Sequence, residues 1–109
     1  MAVKLERKGN TLKVIVQGDF DMQISNQLKQ EIDCVLEREM IHHIIFDLHF
    51  VPFIDSSGLG VILGRYRKLM PMGGKISLVG ANKQVYRILE ISGFTKIMPV
   101  EKEAMREAR

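Results

Sequence analysis

A single cysteine, Cys34, stands in a chain of 109 residues, which excludes a disulfide framework and a cysteine-built metal cluster. It falls inside a predicted helix beside core positions and reads as a small apolar residue. No run approaches the ~20 apolar residues that a membrane-spanning helix needs. The N-terminus has no basic segment followed by an apolar one, so no secretory leader is expected and the chain is placed in the cytoplasm. Charge of one sign is scarce as well: 16 Lys and Arg against 13 Asp and Glu leave +3, with the signs interspersed. Without a basic stripe interleaved with aromatics, nucleic acid is a poor candidate partner.

Motifs that carry chemistry are equally sparse. There is no Gly-x-x-x-x-Gly-Lys-Ser/Thr loop, and no Gly-x-Gly-x-x-Gly opens a helix after a strand. His42 and His43 are adjacent on a predicted strand and point to opposite faces. His49 has no cysteine or second histidine at ligand spacing. All three histidines read as structural or surface residues. Ser56 lacks Gly-x-Ser-x-Gly flanks, so a small hydrolase with Ser56 as nucleophile is disfavoured. Labelling by a serine-directed acyl or phosphonyl reagent would reveal one. No enzyme, metal or resident cofactor is expected.

What is present is the patterning of one α/β domain. At this length a single core is expected, and an apolar fraction of 46% with 27% charged residues is ordinary for a globular chain. Val3 to Arg7 and Leu12 to Val16 alternate around Lys8-Gly9-Asn10, a β-hairpin pattern. Ile24, Leu28, Ile32, Val35 and Leu36 follow at helical spacing, capped by Asp21 or Ser25. Ile41 to Leu48 reads as a buried strand, Met72-Gly73-Gly74 ends a second helix, and Ile76 to Val79 is another strand. Asn82 caps a helix carrying Val85, Ile88 and Leu89. Ser92-Gly93 closes it, Thr95 to Met98 suggests a last strand, and residues 101–109 suggest a short charged helix. The order β-β-α-β-α-β-α-β-α implies a mixed, mostly parallel sheet with packed helices.

The chain turns on Val51-Pro52-Phe53-Ile54-Asp55-Ser56-Ser57-Gly58-Leu59-Gly60, which carries a strand into the second helix. In open α/β sheets the carboxyl edge of the strands is where ligands and partners meet the fold. The first turn of a helix has N–H groups without intrahelical acceptors, and the dipole makes it a place for a carboxylate or a phosphate. Asp55, Ser56 and Ser57 fall there, and Gly58 and Gly60 leave room for close approach. Asp21 also follows a strand and is expected at the same edge. Leu59, Ile62, Leu63, Tyr66, Leu69 and Met70 form the expected core stripe. At about 100° per residue, Ser57, Val61, Gly64 and Lys68 cluster opposite it, with Gly60 and Arg65 flanking. That smooth strip is expected to be a docking face.

Asp55-Ser56-Ser57-Gly58-Leu59-Gly60-Val61-Ile62-Leu63-Gly64-Arg65-Tyr66 resembles the phosphorylation segment of the anti-sigma factor antagonists of the STAS domain family. The likeness runs from about Val3 to Val100 and leans toward the sporulation antagonists that act on the anti-sigma-F factor. It includes Gly18-Asp19-Phe20-Asp21 where the family usually shows Gly-Glu-Leu-Asp. The resemblance implies that the unphosphorylated protein binds an anti-sigma factor and frees the sigma factor. The anti-sigma factor, a serine kinase, then uses ATP to phosphorylate Ser56, and a serine phosphatase restores the protein. It implies a partner surface bordered by Asp21 and by Asp55, Ser56 and Ser57, which the close approach at Gly58 and the helical strip of Gly60, Val61, Gly64 and Lys68 read above are expected to extend. The alternative is a STAS module that does not switch, in a stress-signalling or transporter-associated assembly.

Overall fold

The computed structural model describes residues 2–104. The hairpin forms as the alternation predicts: β1 (Val3–Lys8) and β2 (Thr11–Gln17) pair antiparallel, with Lys8 opposite Thr11. Gly9 takes the left-handed turn at φ 62°, which favours glycine. Then come α1 (Met22–Arg38), β3 (His43–Phe50), α2 (Ser56–Leu69), β4 (Lys75–Ala81), α3 (Lys83–Ile91) and β5 (Val100–Lys102). The sheet order is β1-β2-β3-β4-β5, and every pairing after the hairpin is parallel. Each crossover advances one strand in the same direction, so right-handed connections set the three helices on one face.

Register fixes which side chains meet those helices. Leu12, Ile44 and Ile76 align across the sheet, as do Val14, Phe46 and Leu78, and all six are buried. Enclosing each such side chain contributes about 1.5–3 kcal/mol. The alternate residues form the opposite, half-buried face, where Lys13 pairs with Asp47 at 3.8 Å and His43 Nε2 lies 2.7 Å from Ser77 Oγ. Burial, and then the charges of Lys75 and His42, hold the His43 pKa below its ordinary value.

Several boundaries and orientations differ from expectation. Helix α2 is buried along Gly58, Val61, Ile62, Arg65 and Leu69, while Leu59, Leu63 and Tyr66 are half-buried and Met70 is exposed. The helix packs on α1 as well as on the sheet, so its enclosed arc is wider and turned toward α1. Thr95 to Met98 is not a strand: Phe94–Lys96 is a 3-10 turn, which buries Phe94 and Met98 together. Among the described residues the last strand is β5, so Glu101 and Lys102 are extended, Glu103 and Ala104 are not helical either, and positions 105–109 of that expected helix lie outside the described residues. Cys34 is exposed on α1, not packed beside the core.

Gly58 is required for packing. A Cβ there would stand 2.8 Å from both the Phe20 carbonyl oxygen and Ile54 Cγ1. Since Phe20 and Ile54 are themselves enclosed, neither can yield easily. Gly58→Ala is expected to lower stability by about 1–3 kcal/mol, as overpacked cores do. Unchanged urea unfolding of this variant would contradict the packing described here.

Candidate functional site

Beyond the ends of β2 and β3 the chain continues as two loops that run side by side. Gly18 N–H donates to the Phe50 carbonyl at 2.9 Å, Phe20 N–H to Phe53 at 2.9 Å, and Asp55 N–H to Phe20 at 3.2 Å. Phe20 and Ile54 form a parallel bridge, and both are buried. These bonds bring Asp21 and Asp55 to the same edge, each at the start of a helix. Asp21 Oδ1 accepts from Ile24 N–H at 3.1 Å and caps α1. Asn82 caps α3 through Val85 N–H at 2.7 Å, and its Nδ2 donates to the Val51 carbonyl at 3.2 Å, bracing the same loop.

Asp55 does more than close a helix. Its Oδ1 accepts the N–H groups of Ser57 at 2.9 Å and Gly58 at 3.1 Å, and also the Ser57 hydroxyl. The Ser57 hydroxyl above all holds the Asp55 pKa below the ordinary 3.8; burial opposes it, and the Gly58 and Ser57 amides add to the lowering. The cap therefore stabilises the fold fully above the ordinary carboxylate range, and loses that contribution as pH falls through the lowered folded pKa. Asp55→Ala is expected to cost about 0.5–2 kcal/mol at neutral pH. Urea titrations of both proteins at a series of pH values should show the gap closing in acid. A gap that persists unchanged would mean that the ionised carboxylate is not what holds the turn.

The two serines have different surroundings. Ser57 is half-buried, donates to Asp55 and accepts from the Ser25 hydroxyl of α1 at 3.2 Å. Ser56, the first residue of α2, is exposed, and among the described residues its hydroxyl makes no hydrogen bond. The Ser25–Ser57 contact also sets α1 and α2 parallel: the same offset in sequence recurs where Asp33 meets Arg65 at 3.2 Å.

The expected docking strip is only partly on the surface. Gly60 is exposed, Gly64 is half-buried with open space where a Cβ would stand, and Lys68 is exposed, pairing with Asp33 at 3.0 Å. Val61 is not exposed: it is 6% accessible and belongs to the core cluster. Gly58, expected to admit a partner, is buried against Phe20 instead. Between α1 and α2 lies a groove of about 290 Å³, with Val61 and Arg65 among the residues lining it. Ser25, read from sequence as a possible cap of α1, and Arg65, read as flanking the strip, are instead polar side chains on buried helix faces, and the exposed apolar Met22, Phe50 and Phe53 at this end were missed. Ser25 sits in register with Leu28 and Ile32, and a serine in an apolar stripe signals a polar partner.

Among the described residues no group of His, Cys, Asp and Glu is arranged to hold a metal, and no helix is long and apolar enough to cross a membrane.

The STAS domain family matches residues 2–105. An anti-sigma F factor antagonist of Paenibacillus polymyxa is 36% identical over 100 residues, covering 92% of this chain and 86% of the relative. An anti-sigma-B factor antagonist of Listeria monocytogenes is 27% identical over 96 residues, covering 88% and 83%. Among solved structures, the anti-sigma factor antagonist SpoIIAA in its unphosphorylated form aligns at TM-score 0.83 and 27% identity, over 94% of this chain and 90% of that one. The Bacillus cell fate determinant SpoIIAA in its phosphorylated form aligns at 0.76 and 26%, over 94% and 93%.

Proposed function

The chain belongs to the STAS domain family, among its anti-sigma factor antagonists, and on that premise we propose that it is a sporulation-type partner switch controlled at Ser56. It is a regulatory protein, not an enzyme. In the proposed cycle the unphosphorylated chain binds an anti-sigma factor in the cytoplasm and displaces the sigma factor. The anti-sigma factor is also the kinase: it moves the terminal phosphoryl group of ATP onto Ser56 Oγ, the hydroxyl proton is lost and ADP leaves. A serine phosphatase hydrolyses the ester and returns the chain to its binding form.

One observation carries this reading: Ser56 is exposed at a helix start with a free hydroxyl, whereas Ser57 beside it is held by Asp55 and Ser25. The helix N-terminus favours an anion by about 0.3–1 kcal/mol, so the fold accommodates a phosphate. A partner lying over that end has no such preference. A group of about −1.5 to −2 charges trapped beneath it must be desolvated and matched by donors. The exposed Met22, Phe50 and Phe53 around the same edge suit a protein partner.

The sigma-F assignment is supported by the higher identity to the sigma-F antagonist, 36% against 27% for the sigma-B relative. Transcription reconstituted with sigma factor and its anti-sigma factor tests it. Adding the unphosphorylated chain is expected to restore sigma-F-dependent transcription. Restoration only with the sigma-B pair would place the chain in a stress circuit, and restoration with neither would leave a module that does not switch.

A further inference from the structure

Two polar side chains are buried among the described residues, Ser25 and Arg65, and both line the groove between α1 and α2. Ser25 is satisfied by Ser57. Arg65 is only partly matched: its side chain is 5% accessible and its Nε is ion-paired with Asp33 Oδ1 at 3.2 Å, while the buried Nη1 has no partner among the described residues. The same Asp33 oxygen also takes Lys68 Nζ at 3.0 Å, so one carboxylate serves two cations. Lys29 on α1 adds a third positive group at the groove. The charged groups here are therefore Lys29 and Asp33 from α1 and Arg65 and Lys68 from α2. A buried guanidinium with donors to spare is costly unless a further acceptor arrives.

We propose that this groove receives a carboxylate side chain of the docked protein partner, with Arg65 as its buried donor and Lys29 at its rim. The inference rests on the docking function proposed for this end of the fold. The groove runs on to Ser57, beside the proposed phosphorylation site, so a partner covering Ser56 also covers it. Gly60 and Gly64 keep one wall open, with no atom within 4 Å of a built Cβ at either. The phosphate of Ser56 is not the occupant. Nine residues of helix at ~1.5 Å each put Ser56 about 13 Å from the Arg65 backbone. A guanidinium fork matches a planar carboxylate, which is the group a protein partner brings. The same acidic partner segment would meet a phosphate on Ser56 as a like charge, which ties the groove to the switch.

Calorimetric titration of the cognate anti-sigma factor into the full chain, at low and high salt, tests the proposal. Arg65→Met is expected to stay folded, since an apolar isostere removes a costly buried charge, and to bind about tenfold more weakly with a shallower salt dependence. Lys29→Glu, at an exposed position, is expected to bind about fivefold more weakly and decides the matter if Arg65→Met does not fold. If the parent chain binds and both variants match it in affinity and salt dependence, the groove does not receive an acidic group. If the parent chain itself does not bind, the docking function fails first and the proposal falls with it. Inorganic phosphate titrated alone should leave the Arg65 side-chain N–H signal in place. A saturable shift would make this a small-anion site and overturn the assignment to a protein carboxylate.

Discussion

Ser56→Ala is expected to take up no phosphate from ATP and the partner kinase, while binding the anti-sigma factor as the parent chain does. The exposed hydroxyl at the first position of α2 is the one a kinase can reach without disturbing the helix start. Ser57 is a poor acceptor for two reasons that the geometry makes explicit. Its proton is committed to Asp55, and its oxygen receives the Ser25 hydroxyl in a half-buried position. Phosphorylating it would break the cap and force α1 and α2 apart. Ser57→Ala is therefore expected to keep at least partial incorporation at Ser56 and to lose about 1 kcal/mol of stability with its hydrogen bonds. Mass-spectrometric mapping of the phosphate to Ser57 in the parent chain would overturn the assignment.

Gly64→Gln is expected to weaken binding of the anti-sigma factor roughly 30-fold or more, the scale of losing a well-packed contact at an interface centre. Nothing within the chain opposes the longer side chain, because a Cβ at Gly64 meets open space. It would stand in the groove beside Arg65, where the partner is proposed to lie. Glutamine favours helix over glycine, so stability is expected to rise by up to about 1 kcal/mol. A variant that loses stability and keeps its affinity would show that this face of α2 serves the fold and not the partner.

The parts of the molecule that local pattern could reach were legible. Alternation around Gly9 marked the hairpin and Asn82 caps the helix its position announced, while for α1 and α2 the sequence offered Asp21 or Ser25 and Asp55, Ser56 or Ser57, of which Asp21 and Asp55 are the caps. What failed depended on contacts between elements. The apolar stripe of α2 was centred on Leu59, Leu63 and Tyr66, but the second neighbour α1 turned the buried arc toward Val61 and Arg65. No single-helix periodicity reports such a neighbour. Gly58 looked like an opening for a partner, because the need for glycine came from the carbonyl of Phe20, distant in sequence. The Thr95 to Met98 segment is only four residues long, with Ile97 and Met98 its apolar members, and so short a run fits a strand or a helical turn equally well until Phe94 and Met98 are both seen buried in the core. The distinction between the two serines was likewise invisible in Asp-Ser-Ser-Gly, since it rests on Ser25 reaching across from another helix.

The central claim is that a phosphate on Ser56 acts at the interface and leaves the fold as it is. The helix end offers that phosphate about 0.3–1 kcal/mol, too little to rearrange a packed core. Backbone amide shifts of the Ser56-phosphorylated and free chains, compared residue by residue, test this most directly. The account predicts differences confined to the neighbourhood of Asp21 and to the segment from Asp55 to Gly60. Large changes reaching the hairpin at Leu12 to Val16 and α3 at Val85 to Leu89 would contradict it, and would make the switch conformational.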